Sequence, residues 1–290
     1  MNGYVAILLS AIIFGFLGIL IHYNHLMFGE YFQVMLRNAG ALLLLIPILF
    51  WRQIRLSFDR KTFITLLAYA TVLTFSFSFI NLALLATDIK DVLATRYLVT
   101  IFLSVVITLW FLNEKIRTIN IVAMSLALLG IAMFMFPHFN FLASGIIYAA
   151  LAAGTFTIGN LIIKNNEHIK PEQLMLFEFG TISFLLGLFI LITNQPTITG
   201  FSWLALIASA VFSVLLIVVT YLLIYGFRNT NFNLANIVFT SEIFFGLLFG
   251  YLFLKQTINL TEGIGISLIF LAAILPNIVS LCKKKTSQST

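Results

Sequence analysis

Ten apolar stretches of about twenty residues, set end to end with short polar links, leave this chain very few folds to choose from. They run at about 3 to 22, 32 to 51, 62 to 86, 92 to 112, 118 to 137, 143 to 163, 172 to 193, 202 to 226, 233 to 253 and 260 to 281. At 1.5 Å per residue, a helix of that length covers roughly 30 Å, the thickness of the hydrocarbon layer of a bilayer. Lipid gives the backbone no water to bond to, and the runs lack the alternation of a barrel strand, so each is expected to be a transmembrane helix. Composition excludes the soluble alternative: 61% of the 290 residues are hydrophobic and 9% charged, too little polar surface to cover such a core. Pro137 and Pro196 are placed to close helices, and Pro171, in HIKPEQ, suits the first turn of one. The first run begins almost at Met1 without a basic segment or a cleavage motif, so it is expected to be retained as a helix.

Charge supplies the expected orientation, because Lys and Arg stay on the cytoplasmic side. With the N-terminus inside, the inner links and tail hold Arg52, Arg55, Arg60, Lys61, Lys115, Arg117, Lys164, Lys170, Arg228 and Lys283 to Lys285, against Lys90 and Lys255 outside. Both termini are therefore expected in the cytoplasm of a multi-pass plasma-membrane protein, an inner-membrane one if the cell is Gram-negative. The net charge of +6 follows from that topology and calls for no nucleic-acid partner. Trp51, Trp110 and Trp203 fall near run ends, where interfacial indoles sit.

A shift of 142 residues lays the first run on the sixth, the second on the seventh, and so on, without a gap. GYVAILLSAIIFG at 3 then lies over GIIYAALAAGTFT at 145, Glu30 over Glu172, and FLNEKI at 111 over FLKQTI at 253. The units are residues 1–140 and 141–282, followed by a basic tail at 283–290. Five is an odd number of crossings, so the second copy enters the membrane from the opposite side. The architecture expected is ten transmembrane helices in two inverted five-helix repeats, which in many secondary transporters places a site near the midplane between the halves.

On these features the chain resembles the drug/metabolite transporter superfamily, EamA-like branch, over essentially its whole length. In that family each unit opens on a small-residue helix with an aromatic before a glycine, matched by Phe14-Gly15 and more loosely by Phe156-Thr157. An arginine early in helix two is matched by Arg37 in VMLRNAG. The fourth helix of each unit commonly reads like E-P followed after eight residues by L-x-G-E. Here Glu242 and Glu114 keep the two acidic landmarks once each, in Ser241-Glu242-Ile243 and Asn113-Glu114, while both prolines and both glycines are replaced. The resemblance implies a transporter working by alternating access, with export the commoner direction.

Intramembrane charges are the first candidates for chemistry, since each costs about 2.5 to 3.5 kcal/mol at the bilayer centre on insertion scales and so calls for a partner or a wet cavity. By depth, Arg37 and Arg96 lie in the outer third, Glu242 near the middle and Glu178 in the inner third. Gly246 and Gly250, four and eight residues after Glu242, put the carboxylate on the face of a helix-packing groove, pointing into the bundle. It is read either as a solute-binding or proton-carrying group, or as a brace held in a fixed ion pair. Arg37 and Arg96 suit bidentate recognition of a carboxylate or phosphate, but both are near enough to the outer surface to snorkel, and Arg96 has Asp88 and Asp91 within reach in sequence. Glu178, in MLFEFG, reads more readily as a structural partner, although it stands among the binding candidates. Asn81, Asn160 and Asn236 are candidates to hydrogen-bond a solute, and Phe14, Phe156, Tyr97, Tyr221 and Tyr225 to stack on it, in a chain whose 31 Phe and 9 Tyr are mostly packing.

The sequence has no G-x-x-x-x-G-K-[ST] loop, no H-E-x-x-H and no cluster of Cys or His, so neither ATP coupling by that route nor a metal or other cofactor is expected. No nucleophile and base stand out, and the chain is not expected to be an enzyme. The function expected is secondary transport of a small organic metabolite, such as an amino acid or a related amphipathic solute, with proton coupling through Glu242. Its partners would be that solute, protons and the lipid bilayer, as a monomer or homodimer. The alternatives are a cationic drug exporter and a non-transporting membrane scaffold.

Overall fold

The computed structural model describes residues 2–53, 59–87, 89–135, 144–255 and 257–286. Asp88, Arg55, Pro137 and the join between the two units lie outside the described residues. Among the described residues eleven helices follow one another: α1 (Gly3–Asn24), α2 (Glu30–Trp51), α3 (Arg60–Ala86), α4 (Ile89–Trp110), α5 (Thr118–Met135), α6 (Ser144–Asn165), α7 (Pro171–Thr193), α8 (Trp203–Arg228), α9 (Phe232–Phe239), α10 (Glu242–Leu254) and α11 (Leu260–Thr286). Among the described residues nine spans are long and apolar enough to cross a bilayer, α9 and α10 together making one of them, and the shorter apolar helix Thr118–Phe134 supplies the tenth. The fold is an all-α, ten-span membrane bundle of two repeats.

Local chemistry sets the helix ends. The Asn2, Asp59 and Ser202 side chains accept the backbone N–H of Tyr4, Thr62 and Ala205 at 3.2, 3.3 and 3.4 Å, satisfying donors that a helix start leaves free. Pro171 opens α7 as its position suggested, and Asn194 and Lys255, with φ of 50° and 53°, stop α7 and α10 in the left-handed region. Trp51, Trp110 and Trp203 stand at span ends with 84%, 78% and 71% of their surface exposed, which is where an interfacial indole reaches the headgroups.

The two repeats interlock. α1 packs on α8 and α3 on α6; α1 packs on α10 and α4 on α6; α2 packs on α8 and α3 on α7. Each of these pairings becomes the other when the repeats are exchanged, while α2 with α7 and α5 with α11 map onto themselves. An approximate twofold axis in the membrane plane therefore runs through the bundle, and most packing is between repeats. At the crossing of α1 and α10 the backbones meet so closely that a Cβ on Gly15 would lie 2.7 Å from the Gly246 nitrogen and from Phe245 Cβ, so only glycine fits there.

One expectation needs correction. The run 233 to 253 is not a continuous helix: it is interrupted at Thr240 and Ser241, so that Glu242, although mid-span between Phe232 and Leu254, is the first residue of α10. Thr240 donates its hydroxyl to the Ile237 carbonyl at 2.6 Å and Ser241 to the Val238 carbonyl at 2.7 Å, while Ile243 N–H bonds the Thr240 carbonyl at 3.1 Å. Hydroxyls bonding back onto the preceding turn bend a helix, and two in succession accompany this tight turn.

Candidate functional site

The break delivers Glu242 to α4. Its Oε2 accepts a hydrogen bond from the Tyr97 hydroxyl, and the Arg96 guanidinium beside it bears on the carboxylate electrostatically. Glu242 also stands in the first turn of α10, where the positive end of the helix dipole faces it. Arg96 does not leave for the surface: it is half-buried and lies over the Phe156 ring at 4.9 Å and near the Tyr97 ring at 5.6 Å. A guanidinium over an aromatic face keeps its charge while giving up part of its water.

Phe239, the last residue of α9, joins these groups to α1 and α6. Phe14 meets it edge-on at 5.4 Å, Phe156 stacks on it at 5.7 Å, and Tyr97 tilts against it at 6.3 Å. Phe14 and Phe156 occupy equivalent positions in the two repeats, so the layer sits at the pseudo-twofold axis. On the side of the termini, Phe14 and Phe156 border a small cavity of about 20 Å³ shared with Tyr69, Asn160 and Glu178. Glu178, buried, accepts a hydrogen bond from Tyr69 at 2.7 Å.

The structure thus brings together Glu242, Arg96, Tyr97, Phe14 and Phe156, with Asn160 and Glu178 one layer away. It does not bring in the others. Arg37 is buried, neither snorkelled nor near Glu242, with its guanidinium 4.5 Å over the Phe212 ring between α2 and α8. Asn236 is fully buried in α9 and donates to the Phe232 carbonyl at 2.9 Å. Asn81 is buried in the half of α3 away from the termini, its Nδ2 without a partner among the described residues. Tyr221 turns outward, 42% exposed, because the helical period that buries Thr220, Leu223 and Ile224 carries it to the opposite face. Tyr225 lies half-buried a turn further on. Phe239 and Tyr69 escaped notice in the sequence because nothing marks one aromatic among so many. The break did have a signal, in the consecutive hydroxyl residues Thr240 and Ser241.

Ties between the repeats stand at both ends of this cluster. At the end away from the termini, the α1–α2 and α7–α8 links pair as a short antiparallel bridge of Phe28 with Ile198, with Gly29 N–H bonding the Thr197 carbonyl at 3.1 Å and Thr199 N–H the Met27 carbonyl at 2.8 Å. A Cβ on Gly29 would fall 2.0 Å from the Pro196 carbonyl oxygen. Lys90 pairs with Glu262 at the same end. At the end bearing the termini, Glu114 accepts the first N–H of α9, from Phe232, at 2.9 Å and pairs with Lys164 at 3.6 Å. Lys164 donates to the carbonyls of Arg228 and Thr230 at 3.2 and 2.9 Å, and Arg228 to those of Asn166 and Ile169 at 3.0 and 2.8 Å. A polar vestibule of about 440 Å³ opens there, lined among others by Glu114, Arg117, Lys164 and Arg228.

Comparison with known proteins agrees with this architecture. No curated protein matches the chain. A solved structure described only as "Crystal structure of protein" superposes with a TM-score of 0.81 at 14% identity, covering 96% of this chain and 98% of its own, which speaks for the fold alone. The model of the EamA-like transporter family matches twice, at residues 1–136 and 143–278, once for each five-span repeat. Two matches covering nearly the whole chain, on a bundle whose packing follows the same twofold, mean that the chain belongs to the EamA-like transporter family.

Proposed function

We propose that the protein is a secondary active transporter of a small amphipathic metabolite, such as an amino acid or a related solute, working by alternating access around the Glu242 centre. The observation that carries this reading is the convergence of Glu242, Tyr97 and Arg96 on a helix break at the pseudo-twofold axis. A carboxylate within the electrostatic reach of a guanidinium, with an aromatic layer against them, matches a solute that carries both charges and an apolar part. Arg96 inside the bundle speaks against a dedicated exporter of cations, which would meet repulsion there. Because Glu242 already has a donor and a nearby cation, a solute or a proton arriving there exchanges one partner for another instead of uncovering an isolated charge. Proton coupling then follows from competition for this carboxylate. The charge asymmetry of the links supports a plasma-membrane orientation with both termini in the cytoplasm, and the direction proposed is export.

The test is flux in proteoliposomes of solutes first found by a thermal-stabilisation screen of amino acids and related compounds, since a ligand that binds the folded state raises its melting temperature. Glu242→Gln is expected to fold with the wild-type melting temperature and to lose transport, or the response of transport to an imposed pH gradient. Wild-type flux by that variant at every gradient would reduce Glu242 to a brace.

A further inference from the structure

The cavity beside Phe14 and Phe156 has a chemistry of its own. Its volume of about 20 Å³ exceeds the 10 to 15 Å³ or so that one water needs and is far too small for an organic solute. Four polar residues border it: Glu178, Asn160, Tyr69 and Thr220. The Glu178 carboxylate, in a residue 4% exposed, uses Oε2 to accept from Tyr69. The Asn160 Nδ2, in a residue 2% exposed, has no hydrogen-bond partner among the described residues, an arrangement that costs about 1 to 3 kcal/mol unless something accepts its protons. A water in this cavity would accept from Asn160 and donate to Glu178.

We propose that this cavity is a water site and that Glu178 takes up and releases a proton there, making it a second proton-carrying carboxylate, separated from Glu242 by the layer of Phe14, Phe156 and Phe239. The proposal rests on the transporter reading for its purpose, but not for its chemistry. The step itself is simple: the carboxylate gains one proton delivered from bulk water through the site and becomes a neutral acid, and on release the proton returns to water, with no other bond made or broken. The groups around it suit such a step. From α3 comes Tyr69, from the end of α8 Arg228, which bears electrostatically on Tyr69 and also lines the vestibule at the termini. From α6 comes Lys164, a turn beyond Asn160 and engaged by Glu114. The titratable groups of α2, Glu30, Tyr31 and Arg37, stand in its opposite half. Arg228 thus couples the vestibule it lines to Tyr69 by electrostatics alone, and Tyr69 donates to Glu178.

The experiment is infrared difference spectroscopy of the purified protein in liposomes, without solute, as the pH is stepped across the physiological range. The wild type is expected to show two carboxylic C=O bands, one lost in Glu242→Gln and the other in Glu178→Gln. Tyr69→Phe, which removes the donor and little else, is expected to keep the second band and move its frequency. A Glu178→Gln spectrum that superposes on that of the wild type overturns the proposal. Should that variant fail to fold, a Tyr69→Phe spectrum identical to the wild type overturns it equally. The two carboxylates are read separately: loss of the Glu242 band alone leaves the Glu178 site standing, and an inert Glu178 leaves the Glu242 reading untouched.

Discussion

At the scale of the residue, the contact to question first is the hydrogen bond from Tyr97 to Glu242. A hydrogen bond to a charged group contributes about 1.5 to 3 kcal/mol. Tyr97→Phe keeps the ring against Phe239 and removes only the donor. If the bond orients Glu242 for its work, proteoliposome flux of a solute found by the stabilisation screen falls about tenfold or more, while the protein still folds with a melting temperature lowered by only a few degrees. Flux at the wild-type level would show the contact to be idle. Arg96 admits a companion test, because its place depends on a flat cation over Phe156: Arg96→Lys retains the charge but loses the planar stack, and solute-induced stabilisation is expected to fall with it. Sequence alone marked Glu242 first, but set Arg37 only a little below Arg96 and Tyr221 level with Tyr97. What separates them is the direction in which each side chain leaves its helix.

At the scale of the element, the ninth span decides the site. A continuous helix would carry Glu242 past α4 at an angle set by the 3.6-residue period; the turn at Thr240 and Ser241 resets that angle and ends α9 on Phe239. Close packing of α10 on α1 then fixes the carboxylate in place. Gly15→Ala puts a methyl group 2.7 Å from α10 atoms and must push the two helices apart, an overpacking that typically costs about 1 to 3 kcal/mol. Gly18→Ala, one turn on with nothing within 4 Å of the added atom, is expected to be neutral or slightly stabilising. Melting curves of the two variants in detergent check this, and equal melting temperatures would mean that the crossing is looser than described. The glycines after Glu242 were visible as a packing face in the sequence, but the partner of Gly246, Gly15 of the other repeat, was not.

At the scale of the whole molecule, alternating access requires that ties at the two ends be exchanged. One end is held by the bridge through Gly29, the other by Glu114 on α9 and Lys164. Weakening either should favour opening at that end and closure at the other, since the repeats move against a shared axis. With Cys282 replaced by Ser, single cysteines at Ser104 and Ser209, both buried, serve as reporters for a membrane-impermeant maleimide. Glu114→Gln is expected to speed labelling of the Ser104→Cys reporter and slow that of Ser209→Cys. Gly29→Ala, which drives a methyl group into the Pro196 carbonyl, is expected to do the reverse. Reporters that rise together, or do not move, would rule out a rocking exchange.

The sequence by itself determined that the chain spans the membrane ten times, that its halves repeat and that the second is inverted. These are properties of hydropathy and register along one dimension, and the need to satisfy backbone groups in lipid leaves them no alternative. It also determined that a carboxylate stands at mid-depth. Only the tertiary structure decided which polar groups meet there. In water, an apolar face tells which side of a helix is buried; here lipid and core are equally apolar, so hydropathy is nearly blind to rotation about the helix axis. That rotation is set by where helices of opposite repeats can approach, at Gly15 against α10, and by a turn that two hydroxyls make at Thr240 and Ser241. The result is a centre in which Glu242 of one repeat meets Arg96 and Tyr97 of the other, a meeting that only packing across the pseudo-twofold axis produces.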